Sequence, residues 1–398
     1  MNLAFNSVGS NVRRIFTRIL ALINGVYIDS GMKTIKIVFA IVTGAILGLA
    51  GDPSRAQSSV ALYGALDVLI DISNQGRGTL TQMSNGGTFG SRFGIMGSED
   101  IGNGYKSVFR LEGGFAPNTG TVQQGGAQFG RQAYIGFEGP NGALTFGRQY
   151  SPEFLAVSEY DVFQGGLGGS ILDVDRTLPN DVVHGVLLTE SITCRVDKSI
   201  LYSSPKIYGF SVALMYGLGG VAGATSAGST FSGAVNYKRG PATFHAGYLY
   251  KRDGAVSGYY EGWGIGGSYE IGPARVYLGY TKDDYSDRTG ARSLQNTVRY
   301  AIANLGASYQ VVPLTVVVAQ VMKLIDTSDG LAQSQNVHVV GLGLFYALSK
   351  QTNLYVGYAQ VKNKNGSAYT LGQALYYGVS ASPNSTARVL RFGVRTTF

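Results

Sequence analysis

From Gln57 to Phe398, apolar or aromatic residues recur at every second position in runs of about ten, each closed by a turn or polar loop. This is the period of a strand with one apolar face. It predicts sixteen strands, at 59–70, 89–98, 104–115, 128–138, 142–151, 195–205, 208–219, 230–239, 241–251, 259–271, 273–283, 297–310, 313–326, 336–347, 352–362 and 388–398. Seven connections are short, such as Gly139-Pro140-Asn141-Gly142 and Ile271-Gly272-Pro273, and eight are longer, beginning with 71–88 and ending with 363–387. Short links at one end and long loops at the other describe an up-and-down meander. In the last run Leu390, Phe392, Val394 and Phe398 share one face, and Arg391 and Arg395 the other. Sixteen strands enclose too wide a space for side chains to fill. The apolar face therefore meets lipid and the charged face meets water inside. An even strand number leaves no open edge in a bilayer. The fold class expected is all-β, a 16-stranded antiparallel transmembrane barrel with a long loop folded into the lumen.

That loop is the interruption at 152–194, where no period is sustained. It carries Glu153, Glu159, Asp161, Asp173, Asp175, Asp181 and Glu190, against Arg176 alone until Arg195. A loop this long inside a compact domain is usually functional. The flanking strands supply Arg92, Arg110, Arg131, Arg148 and Arg195, so the expectation is an acidic loop facing a basic wall across a pore constriction.

At the N-terminus, Lys33 and Lys36 precede an apolar core of 14 residues, Ile37 to Ala50, and Ser54-Arg55-Ala56 closes it. This is a secretory signal peptide at 32–56, too short to span a bilayer as a helix. Residues 1–31 are either an upstream extension or precede a true start at Met32, and the barrel occupies 57–398. Six of the 32 basic and two of the 24 acidic residues fall before Gln57, leaving 26 and 22, a net charge of +4. Without Lys/Arg runs this is no nucleic-acid footprint. Cys194 is alone, so an intramolecular disulfide is excluded. The 58 glycines and 26 tyrosines suit turns and an apolar–water boundary.

Several segments together resemble the trimeric general porins of Gram-negative outer membranes, in the anion-favouring branch. They are Ser59-Val60-Ala61-Leu62-Tyr63-Gly64, Ser91-Arg92-Phe93-Gly94, Gly97-Ser98-Glu99-Asp100, Phe129-Gly130-Arg131-Gln132-Ala133, Gly147-Arg148-Gln149-Tyr150, Tyr346-Ala347-Leu348-Ser349-Lys350 and the terminal Phe398. The resemblance implies a sixteen-stranded barrel with its third loop in the lumen, a homotrimer, and Phe398 as the signal read by the barrel assembly machinery. Its expected partners are small hydrophilic solutes, anions and outer-membrane lipid. Lys198-Ser199-Ile200 departs from the family, which usually has Asn before Ser-Ile or Ser-Val.

By alternation with Phe93, Ile95, Phe109 and Leu111, Arg92 and Arg110 point inward, and Arg195 shares the parity of Ser199 and Ser203. Arg148 shares parity with Leu144 and Phe146, and Arg131 with Ala133 and Ile135. Either a bulge resets the register there or these strands sit at a subunit interface, and the resemblance favours Arg131 in the constriction. The alternative role for each arginine is solvating a strand end. Glu159, Asp161, Asp173 and Asp175 are the expected acidic side. His184, His245 and His338 have no Ser or Asp at motif spacing, and no Cys/His cluster offers a metal site, so no catalytic residue, metal or cofactor is expected. Asp173-Val174-Asp175 is read as a solvated loop rather than a Ca²⁺ site. The competing class is a structural or adhesive outer-membrane barrel with a plugged lumen.

Overall fold

A computed structural model describes residues 58–172, 174–178, 181–183, 194–252, 254, 258–286, 298–328, 335–372 and 381–398. The signal peptide expected at 32–56, the segment before it and Asp173 lie outside the described residues. Sixteen wall strands run in chain order: β1 (Ser58–Asn74), β2 (Arg92–Gly102), β3 (Tyr105–Ala116), β4 (Gln132–Gly139), β5 (Gly142–Tyr150), β6 (Arg195–Ser203), β7 (Phe210–Gly217) and β8 (Thr230–Arg239), then β9 (Ala242–Arg252), β10 (Tyr259–Ile271), β11 (Ala274–Ser286), β12 (Val298–Val312), β13 (Thr315–Asp326), β14 (Val337–Ala347), β15 (Thr352–Lys362) and β16 (Thr386–Thr397). They form an antiparallel sheet closed by β1 and β16, from Ala65 opposite Thr397 to Asn74 opposite Arg388. Each predicted strand has its counterpart here.

The connection predicted as a loop at 71–88 is different. β1 continues to Asn74, where the Asn74 side chain accepts from Gly76 N at 3.0 Å, and Thr79–Asn85 returns along β1. An Asn two residues before a glycine is itself a turn signal. After Asn85 the chain leaves the ladder, and β2 rejoins β1 at Arg92, opposite Ala65. The carboxylate of Asp67 fills the gap, accepting from Thr88 N, Thr88 Oγ1, Phe89 N and the Tyr355 hydroxyl.

The outward faces carry exposed apolar side chains all round, including Val60, Leu62, Ile135, Leu214, Leu278, Val321, Leu342 and Phe392. Exposed aromatics near the short-turn end, Tyr208, Tyr269, Tyr309 and Tyr346 among them, make the girdle that marks a bilayer interface.

The inner face is covered on one side. Ser151 caps a short helix, α1 (Pro152–Ser158), by accepting from Phe154 N, with Pro152 in the first turn. Ser-Pro is a helix-start signature that the search for a sustained period overlooked. The helix lies against β8 to β10, and Glu153 N donates to the Ser232 hydroxyl. Beyond it the chain crosses the wall. Tyr160 lies on Gly264, Gly266 and Gly279; Phe163 on Gly341 and Gly343; Leu167 on Gly357. These glycines stand where a side chain would collide with the loop. Leu167 N reaches Gly87 O at 2.6 Å, so the loop passes beside the gap in the β1 ladder.

Above this crossing the inner faces of β12 to β16 are apolar. Ile302, Met322, Leu324, Val337, Val339, Val361 and Val389 pack with Ile171, Tyr369 and Leu371. Each fully buried aliphatic side chain contributes about 1.5–3 kcal/mol. Tyr369–Leu371 pairs with Val174–Leu178, which pairs with Asp181–Val183, as a second small sheet.

Candidate pore constriction

The inner side left uncovered by the described residues lies across β1 to β6. A cavity of about 750 Å³ is lined there by Arg92, Arg110 and Arg395, by Glu112 and Glu138, and by tyrosines including Tyr150. Arg92 and Arg110 come inward by strand alternation, as expected. Arg110 lies over the Tyr63 ring at 5.5 Å, and Arg92 and Arg395 over the Phe89 ring at 5.6 and 5.0 Å.

Tyr150 gathers two further guanidinium groups. Its hydroxyl accepts from Arg131 Nη2 at 2.6 Å and from Arg195 Nη2 at 2.7 Å, and Arg195 lies 4.6 Å from its ring centre. All three stand at strand ends: Arg131 precedes β4, Tyr150 closes β5 and Arg195 opens β6. Alternation no longer fixes side-chain direction at such ends, which is why parity left Arg131 ambiguous. A register shift between Val196 and Ser199 also breaks the parity on which Arg195 was read inward. Its position comes from Tyr150 instead.

Arg131 is itself buried, with Nε 2.8 Å from Glu112 Oε1. Glu112 also accepts from the Tyr63 hydroxyl at 2.8 Å. Glu112 is the carboxylate of this wall, and sequence reasoning passed over it although it shares the inward parity of Arg110.

Arg148 is not part of the cluster. β5 keeps its ladder there, placing Arg148 opposite in side to the buried Thr145 and Gln149. Its Nη1 pairs with Asp197 at 2.6 Å and its Nε donates to Gly130 O.

The acidic side of the expectation is also revised. Asp161 is fully buried, accepting from Phe163 N, Gly165 N, Ser170 Oγ and Gln320 Nε2. Its carboxylate folds the loop and ties it to β13. Burial pushes its pKa up, against the lowering effect of those hydrogen bonds. Glu159 is exposed and within electrostatic reach of His245 on β9. Neither is hydrogen-bonded or ion-paired to the arginines among the described residues. Asp175 lies in the small sheet, in register with Thr370. A short carboxylate before a glycine-rich turn satisfies backbone N–H groups rather than reaching across a lumen.

The arrangement presents five guanidinium groups, Arg92, Arg110, Arg131, Arg195 and Arg395, against Glu112 and Glu138. A guanidinium is permanently charged and weakly hydrated, so such a wall attracts anions without a deep binding site.

Residues 43–366 match the family model described as Gram-negative porin. Outer membrane porin protein 32 of Delftia acidovorans is 27% identical over 372 residues, covering 90% of this chain and 99% of that protein. An outer membrane porin protein of Bordetella pertussis is 27% identical over 369 residues, covering 80% and 92%. Among solved structures, an anion-selective porin from Comamonas acidovorans superposes with a TM-score of 0.71 at 24% identity, over 86% of this chain and all of that one. The trimer form of OmpT from Vibrio cholerae gives 0.62 at 16% identity, over 86% and 99%. With its closed barrel, lipid-facing apolar band and arginine-lined inner cavity, the chain belongs to the Gram-negative porin family: an integral outer-membrane protein forming a channel for passive diffusion.

Proposed function

We propose that this porin prefers anions, and that the arginines converging on Tyr150 set the preference. The observation that carries the reading is the pair Arg131 and Arg195 on one phenol oxygen, with Arg92 in electrostatic reach of both. The net charge of the whole chain matters little, since exposed charges beyond about 10 Å are screened at roughly 0.1 M salt. Charges at the narrowest point act where an ion has shed part of its water. The anion-selective description of the Comamonas acidovorans structure points the same way.

The test is reversal potential in a salt gradient for the parent, Arg92→Ala and Arg131→Ala. Both variants should lose anion preference. Arg131→Ala should lose more, because it removes a cation and leaves the Glu112 carboxylate without its 2.8 Å ion pair. A parent-like preference in both variants would overturn the reading.

The working unit in this proposal is a homotrimer joined through the early strands and β16. Val60 and Leu62, exposed on β1, are apolar surface of the kind such a contact covers, and a trimeric OmpT of the same fold supports it. Mass measurement in mild detergent tests this, and a monomer alone would count against it. The mature barrel is taken as 57–398, released from the signal at 32–56. Phe398 would be offered to the assembly machinery from its exposed position over Gly64, where backbone hydrogen bonds in both directions hold it to β1.

A further inference from the structure

The loop meets the arginine wall with an apolar side chain. α1 buries Glu153, Ala156 and Val157 against the wall and leaves Leu155 49% exposed, lining the cavity of about 750 Å³. An ordinary amphipathic helix would turn the carboxylate to water and the leucine to protein. Leu201 lines the same cavity from the inner face of β6, opposite Thr145 and on the parity of Ser199 and Ser203. Alternation in a channel wall calls for a polar residue there. Given the anion preference proposed above, we infer that the organic solutes this channel favours are small aromatic carboxylates. The carboxylate is drawn to Arg92, Arg110 and Arg395 while the ring passes over Leu155 and Leu201.

The cations are placed to receive such a group. Arg92 and Arg395 lie 5.6 and 5.0 Å from the centre of the Phe89 ring, and Arg110 lies 5.5 Å from that of Tyr63. None of the three is ion-paired among the described residues. Their hydrogen bonds there are Arg92 Nε to Gly90 O and Arg110 Nη2 to the Met96 sulfur. A planar guanidinium offers paired N–H donors, which match the two oxygens of a carboxylate better than a spherical halide. Of the two carboxylates in the lining, Glu112 is held by Arg131 and the Tyr63 hydroxyl. Glu138 stands at the short-turn end of β4, in register with Lys106.

The leucines decide which carboxylates benefit. Opposite charges facing each other across a passage order the water between them and raise the cost of admitting an apolar body. Here α1 sets a leucine rather than a carboxylate in the lining. Low-dielectric walls beside charged ones concentrate the field felt by an incoming anion. Chloride gains from that field alone. A ring carrying the same charge also takes apolar surface, its own and that of the leucines, out of water. The Tyr150 ring stacks on Phe154 with 5.5 Å between centres and 10° between planes, so the first turn of α1, and Leu155 after it, is fixed against the arginine cluster.

Planar-bilayer recording in potassium chloride tests this. Benzoate should interrupt the parent's current at about one tenth of the concentration that acetate needs. The double variant Leu155→Asn/Leu201→Asn should bring the two values within about twofold of each other and keep the parent's reversal potential. Heat-modifiable gel mobility will check its folding, and Leu155→Asn alone should move the ratio the same way. Leu155→Met/Leu201→Met keeps apolar surface in place and should retain the parent's ratio. Anion preference with equal benzoate and acetate values in the parent overturns the inference alone. A parent without anion preference overturns it together with the ion preference proposed above. A parent-like ratio in the folded asparagine variants would also overturn it, by assigning the ring to another surface.

Discussion

The inner face of β2 to β6 and that of β12 to β16 belong to the same sheet and follow the same alternation, yet they do opposite things. The first carries Arg92, Arg110 and Glu112 into a cavity of about 750 Å³. The second carries Ile302, Leu324, Val339 and Val389 into contact with folded-in loops. A barrel wall that looks uniform from outside is, from inside, half channel lining and half protein core. The narrowing of the passage is therefore a packing problem on one side and an electrostatic one on the other. Substitutions on the two sides should fail in different ways.

The covered side should break most severely at Asp71. Arg391 is fully buried, its Nε 2.9 Å from Asp71 Oδ1 and its Nη1 2.8 Å from Gly372 O, so it ties β1 and β16 to the folded-in segment. Asp71→Ala strands that cation, and loss of one partner of a buried pair costs about 3–5 kcal/mol. Thermal unfolding followed by heat-modifiable gel mobility should fall sharply. The ion preference of the surviving folded channels should stay near that of the parent.

Next in size is Gly279→Val, which drives a side chain into Tyr160. Overpacking costs about 1–3 kcal/mol unless the loop yields. The expected outcome is a displaced loop, seen as higher and noisier single-channel conductance. Unchanged conductance would mean that the crossing at Tyr160 does not narrow the passage.

A smaller effect should come from Glu153, buried in the first turn of α1, with Oε2 lacking a hydrogen bond among the described residues. Burial, and then the nearby Asp283, push its pKa well above the ordinary 4.5. A raised carboxyl pKa means that docking favours the protonated form. Its contribution is full below about 4.5 and is lost as pH rises towards the elevated value. Acidification should quieten current fluctuations from the loop. Glu153→Gln should reproduce that at neutral pH and remove the dependence. A variant keeping the parent's pH profile would assign the effect elsewhere.

The smallest expected change is Arg395→Gln on the uncovered side. Stability should stay within about 0.5 kcal/mol, and reversal potential should register a modest loss of anion preference.

The barrel was legible because alternation is a local property, repeated strand after strand. The asymmetry of its interior was not read, although two signals existed. Thr315-Val316-Val317-Val318 and Val337-His338-Val339-Val340 put apolar residues on both faces, as strands buried on both sides do. Gly262, Gly264 and Gly266, like Gly341 and Gly343, recur at strand period, which marks close approach of another chain segment. The basic wall was legible at Arg92 and Arg110, where the ladder is regular. It was obscure at Arg131, which precedes its strand, and Arg195 was read inward on a parity that the bulge breaks. The acidic loop was misjudged for another reason. Sequence reveals that Asp161 carries a charge. Whether that charge faces water or the loop's own amides depends on the path of the chain.

The junction of β1 and β16 has a consequence for how the molecule forms. Asp71 and Arg391 are 320 residues apart in the chain, and the ladder around them joins the first strand to the last. No other strand pairing among the described residues spans such a separation. Contacts so distant form late, because the loop they close carries most of the polypeptide. Until β16 arrives, the growing sheet has two free edges, each able to pair with a stranger. The Asp71–Arg391 pair is thus a latch thrown at the end of folding. A chain stopped before Thr386 would present its open edges as an invitation to aggregate, however well its other fifteen strands had formed.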